Sequence, residues 1–347
     1  RKLREKGLDA PIITVSTGEE IQLGPFQVRW LPITHSTPET HGLLIRTPVG
    51  KVLHTADWKI DSAPIAGEPV RPPLYQALGR SGLDAIVCDS TNATKPGHSV
   101  SESELFNGLN RIIAESPQRV VVGCFSSNVA RLQTLGNVSQ VTGRYLGLLG
   151  RSLHRMVASA RASGYLEENF TVVDNFDLGY LLPEELLLVA TGSQGETGAA
   201  LQRLAVDSHP DVNLSAGDHV IFSTMTIPGN EKQVNALVAA FRARGITVTL
   251  ADESDIPLHA SGHPCASELA QMYQWTRPHL AIPVHGENIH MRANARLASE
   301  QGVPHQLVGQ NGDLFDLVAK KKQEAAVKVG RLWLNESSLS LEPVTQG

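Results

Sequence analysis

Apolar and polar side chains alternate between residues 20 and 58. EIQLGPFQVRWLPI repeats at period two, the signature of strands with one buried face. HGLLIRT and KVLHTAD follow, joined through TPVGK, where Pro48 and Gly50 mark a hairpin turn. LDAIVCD, residues 83–89, is a short apolar run that ends in an aspartate. The polar loop STNATKPGHSVSES comes next, then a helix predicted from about Glu102. The pattern changes after that point. RVVVGCF leads into SSNVARLQTL, LLLVAT into GSQGETGAALQRLA, and HVIFSTM into TIPGNEKQVNALVAAFRARG. Each pair is a strand-length apolar run followed by a helical one, and ITVTLADE adds a further strand. Such alternation predicts a doubly wound parallel sheet as a separate α/β unit over 101–255. HLAIPV is again an apolar strand, ending at His285. A helix over ENIHMRANARLASEQG and a short strand in HQLVGQ follow it. The lysine run in AKKKQEAAVK reads as a solvated face.

With 347 residues the chain is too long for one simple core, so two domains, or one domain with an insertion, are expected. Apolar residues at 41% and charged ones at 19% allow a large core. No run of 18 uncharged apolar residues is present, which excludes a helix crossing a membrane. The opening RKLREKGLDAP is basic, has no apolar signal-peptide stretch and reads as the tail of a helix. It starts at Arg1 and not at a methionine, so further sequence is expected upstream. Cys88, Cys124 and Cys265 are odd in number and widely spaced, which suits a reducing cytoplasm and offers no zinc-finger spacing. The net charge of −5 rules out nucleic-acid binding through the overall field, so any such ligand needs a local groove.

Four apolar runs end in a residue able to bind metal or move a proton: PITHST with His35, LHTAD with Asp57, IVCDS with Asp89 and IPVHGE with His285. PLHASGH adds His259 and His263, four residues apart. Side chains at strand ends converge at one sheet edge, and imidazole with carboxylate suits zinc or manganese. Any one of these is more often structural than functional; the ensemble is what points to a metal site. FSSNVAR, TGSQGE and TIPGNE each place small polar residues between a strand and a helix. Backbone amides there bind phosphate without net positive charge, although the same residues serve as ordinary N-caps. Three such loops along one sheet favour a phosphate site, with Arg131 and Arg151 as candidate backbone contacts.

The ordered set THS, HTADWK, DSTNA, FSSN, TGSQGE, IPGNE, HASGH and PVHGE resembles bacterial ribonuclease J over about residues 10–335. Members of that family are nucleases of the metallo-β-lactamase fold with a β-CASP insertion. The resemblance implies an α/β protein: a partial metallo-β-lactamase αββα sandwich from residues 1–100 and 256–347, with a doubly wound β-CASP domain inserted over 101–255. It implies two divalent metal ions, zinc with manganese as the alternative, held by His35, Asp57 and His285, with Asp57 bridging. Asp57, Asp89 and His263 would be catalytic, His263 as general acid or phosphate clamp and Asp89 as its orienter or proton relay. Ser126, Ser127, Asn128 and Ser193, with the segment His259, Ala260, Ser261, Gly262 and His263, would bind substrate. His41 and His54 match no ligand position and are expected to be structural or solvent-facing. The implied activity is hydrolysis of RNA phosphodiesters in maturation and decay, 5′ to 3′ as an exonuclease with endonuclease activity as a second mode. RNA with a 5′-monophosphate is the implied partner, and a homodimer or homotetramer the implied full-length assembly. The family's H-x-H-x-D-H signature, expected upstream of His35, does not occur in this sequence, and its C-terminal domain is expected beyond about residue 345. Two alternatives stay open. A metallohydrolase of small esters would not need the long insertion. A metal-free RNA-binding homologue or scaffold fits a chain without that signature.

Overall fold

The computed structural model describes residue 3, residues 7–335 and residues 340–343. The opening RKLREK, read as a helix tail, lies outside the described residues apart from Leu3, as do the last four residues of the 256–347 segment.

The alternating stretch forms β1 (Glu20–Leu23), β2 (Phe26–Pro32), β3 (His41–Thr47) and β4 (Gly50–His54), each antiparallel to the one before. After α1 (Pro72–Arg80) the chain enters β5 (Ala85–Asp89), which lies parallel to β4. Much later β11 (Leu280–Val284) pairs parallel to β5, and β12 (His305–Gln306) to β11. The result is one mixed seven-stranded sheet. Leu31, Leu44, Leu53, Ile86, Cys88 and Ala281 bury one of its faces in a core shared with Tyr75, Leu78, Leu269, Met272 and Tyr273.

Between β5 and β11 the chain builds a second sheet. It carries α2 (Leu105–Ala114), β6 (Val120–Gly123), α3 (Val129–Thr142), β7 (Tyr145–Leu149) and α4 (Arg151–Ala162). It continues with β8 (Leu186–Ala190), α5 (Ala200–Ala205), β9 (His219–Phe222), α6 (Glu231–Ala243) and β10 (Thr247–Leu250). The strand order is β10-β9-β6-β8-β7, and every pairing is parallel. Odd and even strand positions bury opposite faces. Val120 and Val122 pack with α2, α3 and α4, whereas Val121 packs with α5 and α6. Strands buried on both faces read as unbroken apolar runs, as VVVG and LLLVA do. The doubly wound parallel architecture expected for this part of the chain is therefore present.

Several elements differ from the expected pattern. GSQGETGAALQRLA is mostly loop, with Gly195 and Gly198 at positive φ, and becomes helical only at Ala200. β7 and α4 were not anticipated. Neither was α7 (Ala266–Thr276), which starts directly after the HASGH segment and is followed after β11 by α8 (Asn288–Glu300).

Candidate metal centre

β4, β5 and β11 are neighbouring parallel strands, so their C-terminal ends face the same way. Asp57 follows β4, Asp89 ends β5 and His285 follows β11. Parallel pairing thus brings together three residues far apart in sequence. His35 joins them because Thr34 bridges Lys59, which sets the loop after β2 beside the loop after β4. His263 arrives from the segment that returns from the second sheet. Asn92 bridges Cys265, and its Nδ2 donates to Ser261 Oγ at 2.8 Å. Ala56 (φ 56°) and His285 (φ 53°) occupy the left-handed region, which costs energy for residues with a Cβ. Two such residues flanking one cluster indicate backbone held for the site's geometry.

The side chains converge. One ligand atom each from His35, Asp57 and His263 lie within 4.8 Å of one another, and so do those of Asp89, His263 and His285. His285 Nε2 is 3.5 Å from Asp57 Oδ1. The His263 ring centroid is 5.1 Å from that of His35 and 5.3 Å from that of His285. All three expected metal residues and both further catalytic candidates therefore share one site, with His263 common to both groups. Asp57 and His285 are the open members, with side chains 43% and 53% exposed, whereas Asp89 is buried.

His35 Nδ1 donates to the Gly262 carbonyl at 2.6 Å. Burial lowers its pKa, the Gly262 carbonyl opposes that, and the charge of His263 adds to it. A neutral ring with its proton on Nδ1 leaves the Nε2 lone pair for a metal. His263 Nδ1 donates to Asp89 Oδ2 at 2.7 Å. Burial disfavours the His263 cation, but the Asp89 hydrogen bond and charge, with Asp57, outweigh it and raise the pKa. Burial likewise pushes Asp89 up, and His263 together with the amide and hydroxyl of Thr91 holds it below its ordinary value. Imidazole and carboxylate donors in two overlapping groups suit zinc or manganese, so the residues present fit divalent ions.

The expected substrate residues divide. Ser126 and Ser127 form a half-buried turn between β6 and α3. Asn128 turns inward: Oδ1 accepts from the Arg131 amide at 2.9 Å and Nδ2 donates to Glu102 at 2.8 Å. Ser193 and Ala260 are buried. Ser261 Oγ accepts from Asn92 and from the His263 amide, and the Gly262 carbonyl seats His35. His259 is half-buried and donates through Nδ1 to the Ser223 carbonyl at 3.2 Å. Burial, with the charge of Arg131, pushes its pKa down to about 3, so it carries no positive charge for a phosphate. His54 is exposed and accepts from the Ala56 amide, while His41 bonds Thr17 and the Glu39 carbonyl.

Arg131 corrects an expectation. It is fully buried, donates to both Glu102 oxygens at 3.1 Å and to the Ser223 carbonyl at 2.8 Å, and cannot reach an RNA backbone. Glu268, which the sequence reading missed, is also fully buried. It accepts from the amides of Ile60, Ser99 and Cys265 and so ties the Asp57 loop to the His263 loop. Its signal was a glutamate three residues after Cys265, the spacing of a helix-capping box.

The β-CASP domain of ribonuclease J matches residues 117–241, and a Zn-dependent metallo-hydrolase RNA specificity domain matches 257–308. Ribonuclease J of Sinorhizobium meliloti is 40% identical over 319 residues, covering 91% of this chain and 56% of that protein. Ribonuclease J of Mycolicibacterium smegmatis is 37% identical over 338 residues, covering 96% and 60%. That of Thermus thermophilus is 34% identical over 337 residues, covering 95% and 58%. The chain thus spans less than two thirds of the length of these relatives. A crystal structure of a protein of unknown function from Enterococcus faecalis shares the fold, with a TM-score of 0.59 at 16% identity over 88% of this chain and 67% of that one.

Proposed function

Since the chain belongs to the ribonuclease J family, we propose that it is the catalytic part of a metal-dependent ribonuclease. Its substrate is RNA, and 5′-monophosphorylated ends are degraded 5′ to 3′ with internal cleavage as a second mode. The observation that carries this reading is the meeting of His35, Asp57, Asp89, His263 and His285 at one place. We further propose domain limits at 100/101 and 255/256, two zinc ions, a cytoplasmic location and a homo-oligomeric full-length protein.

Divalent ions bound at this cluster would supply a water acidic enough to ionise near neutral pH and would neutralise a phosphate oxygen. The chain's own residues do the rest. Asp57 offers two carboxylate oxygens in an open position, as a bridge between ions needs. His35 presents Nε2 because Gly262 holds its other nitrogen. His263 is anchored through Nδ1 to Asp89, which raises its pKa and favours the charged ring whose Nε2 proton would go to the leaving oxygen. Asp89 is positioned by Thr91 and buried, so it holds the imidazolium and stays ionised. The Ser126–Ser127 turn at the start of α3 offers amides and hydroxyls to the RNA backbone.

The test is digestion of a 5′-monophosphorylated RNA by the intact protein with zinc or manganese. Asp57→Ala is expected to abolish mononucleotide release; unchanged release would sink the mechanism.

A further inference from the structure

A second concave site lies where β7 and β8 end, away from the His263 cluster. It is a cavity of about 640 Å³ whose walls include Arg151 and Arg155 of α4, Arg203 of α5, His209, Asn175 and Asp211. The chain carries a net charge of −5, yet the exposed side chains of Arg151 and Arg203 both line this cavity, beside one carboxylate, Asp211. That carboxylate is engaged, since Asp211 accepts from Asn175 Nδ2 at 3.1 Å. Like charges gathered in a concave wall focus a positive potential that an anion relieves.

Three further features specify the anion. First, Asn175 Oδ1 is buried and has no hydrogen-bond partner. The contact with Asp211 fixes the amide's orientation, because a carboxylate needs the NH₂ end; the orphaned atom is therefore an acceptor awaiting a donor such as a hydroxyl. Second, α4 opens at Gly150 with φ 135° and no capping side chain, which leaves first-turn amides for an outside acceptor. A Cβ at Gly150 would lie 2.5 Å from Thr191 Oγ1, so glycine lets this helix start approach the end of β8. Third, the loop that leaves β8 at Thr191 carries Ser193, and its far end at Gly198 and Ala199 lines the cavity. The cavity thus borders a loop of the same sheet edge that carries the Ser126–Ser127 turn.

We propose that this cavity binds a phosphate group of an RNA strand, with a ribose hydroxyl donating to Asn175, at a point outside the cleavage site. The proposal rests on the ribonuclease reading for the source of the phosphate. Arg151 and Arg203 supply the charge, and Asn175 distinguishes a hydroxylated sugar from a bare anion.

The experiment measures affinity of the chelator-treated chain for a single-stranded RNA at several salt concentrations, by anisotropy. Arg151→Ala/Arg203→Ala changes two exposed side chains, and its thermal melting checks that it folds. Loss of both cations at this one phosphate is expected to weaken RNA binding at least about fivefold at low salt and to reduce the salt slope by about 0.7. Asn175→Ala is expected to narrow the preference for RNA over DNA of the same sequence. Unchanged affinity and slope in the folded double variant would overturn the proposal. If the unaltered chain binds no RNA, the ribonuclease reading fails first, and inorganic phosphate then decides. A melting shift at matched ionic strength that disappears in the double variant keeps the phosphate site, and no shift discards it. A free mononucleotide binding as tightly as RNA would also overturn the assignment to a strand.

Discussion

His263 and Asp89, 174 residues apart, meet at 2.7 Å between Nδ1 and Oδ2, and this contact joins the segment returning from the second sheet to the end of β5. The carboxylate is buried and the imidazole nearly so, which makes the pair sensitive to the charge of either partner.

A pH window follows for the metal-free protein. Asp89 lies below its model-compound value of 3.8 and His263 above its value of 6.5. The lowered acid contributes stability above the pKa it has when unfolded, and this is lost as pH falls through its folded value. The raised base contributes fully below 6.5, and this is lost as pH climbs through its folded value. Asp89→Asn should therefore destabilise chelator-treated protein most between about pH 4 and pH 6.5 and progressively less above that range. Denaturant unfolding across pH checks this. A difference that grew steadily into the alkaline range would contradict the ion pair.

Gly262→Ala addresses the seat of His35. A Cβ there would lie 2.5 Å from His35 Nδ1 and 3.0 Å from the Ser36 amide nitrogen. The ring must move, and its hydrogen bond to the Gly262 carbonyl goes with it. Loss of such a ligand-orienting bond costs about 10- to 100-fold in metal affinity. Zinc titration of the variant should show that loss. Gly179→Ala, where a Cβ meets nothing within 4 Å, should leave affinity unchanged.

His259 is expected to stay neutral. Burial first, then the charge of Arg131, lowers its pKa to about 3, with the Ser223 carbonyl opposing. A histidine that is neutral when folded contributes stability fully above its unfolded pKa near 6.5, and that contribution is lost as pH falls toward 3. His219, lowered by burial to about 4, acts in the same direction. An NMR titration of the ring protons should show no transition for either residue between pH 8 and about pH 5. A midpoint near 6 for His259 would contradict the burial that holds it neutral.

The strand ends were legible because alternation and terminal acids or histidines are local signals. Asp57, Asp89 and His285 needed only the assumption that their strands lie parallel. The interior polar residues were not legible, for a physical reason. Arg131 follows an N-cap and reads as a surface cation. Its burial depends on Glu102, 29 residues earlier, and on Ser223, 92 residues later. Glu268 interrupts the apolar periodicity of α7, and two of its partners, Ile60 and Ser99, are 208 and 169 residues away. YLGLL carries Gly147 at its centre, where a Cβ would meet Leu188 Cδ2 at 2.7 Å. Close packing of that strand thus demands the residue that lowers its strand propensity.

Arg131 and Glu102 carry the last prediction. Arg131 is 0% exposed and Glu102 2%, and the guanidinium also donates to Ser223, whose hydroxyl in turn donates to the Leu258 carbonyl at 2.6 Å. Asn128 completes the group by donating to Glu102 while capping α3. One buried ion pair thereby ties the Ser126–Ser127 turn, the end of β9 and the irregular segment leading to His263. Removing one partner leaves an unpaired charge in the interior, which typically costs about 3–5 kcal/mol. Replacing both with apolar residues removes that penalty along with the attraction. Arg131→Met and Glu102→Leu should each destabilise by about that amount, and the double variant by clearly less than their sum. Denaturant unfolding of the four proteins completes the cycle. Additive losses would mean that the two side chains act separately, and the link from the Ser126–Ser127 turn to His263 would have to run through Asn128 alone.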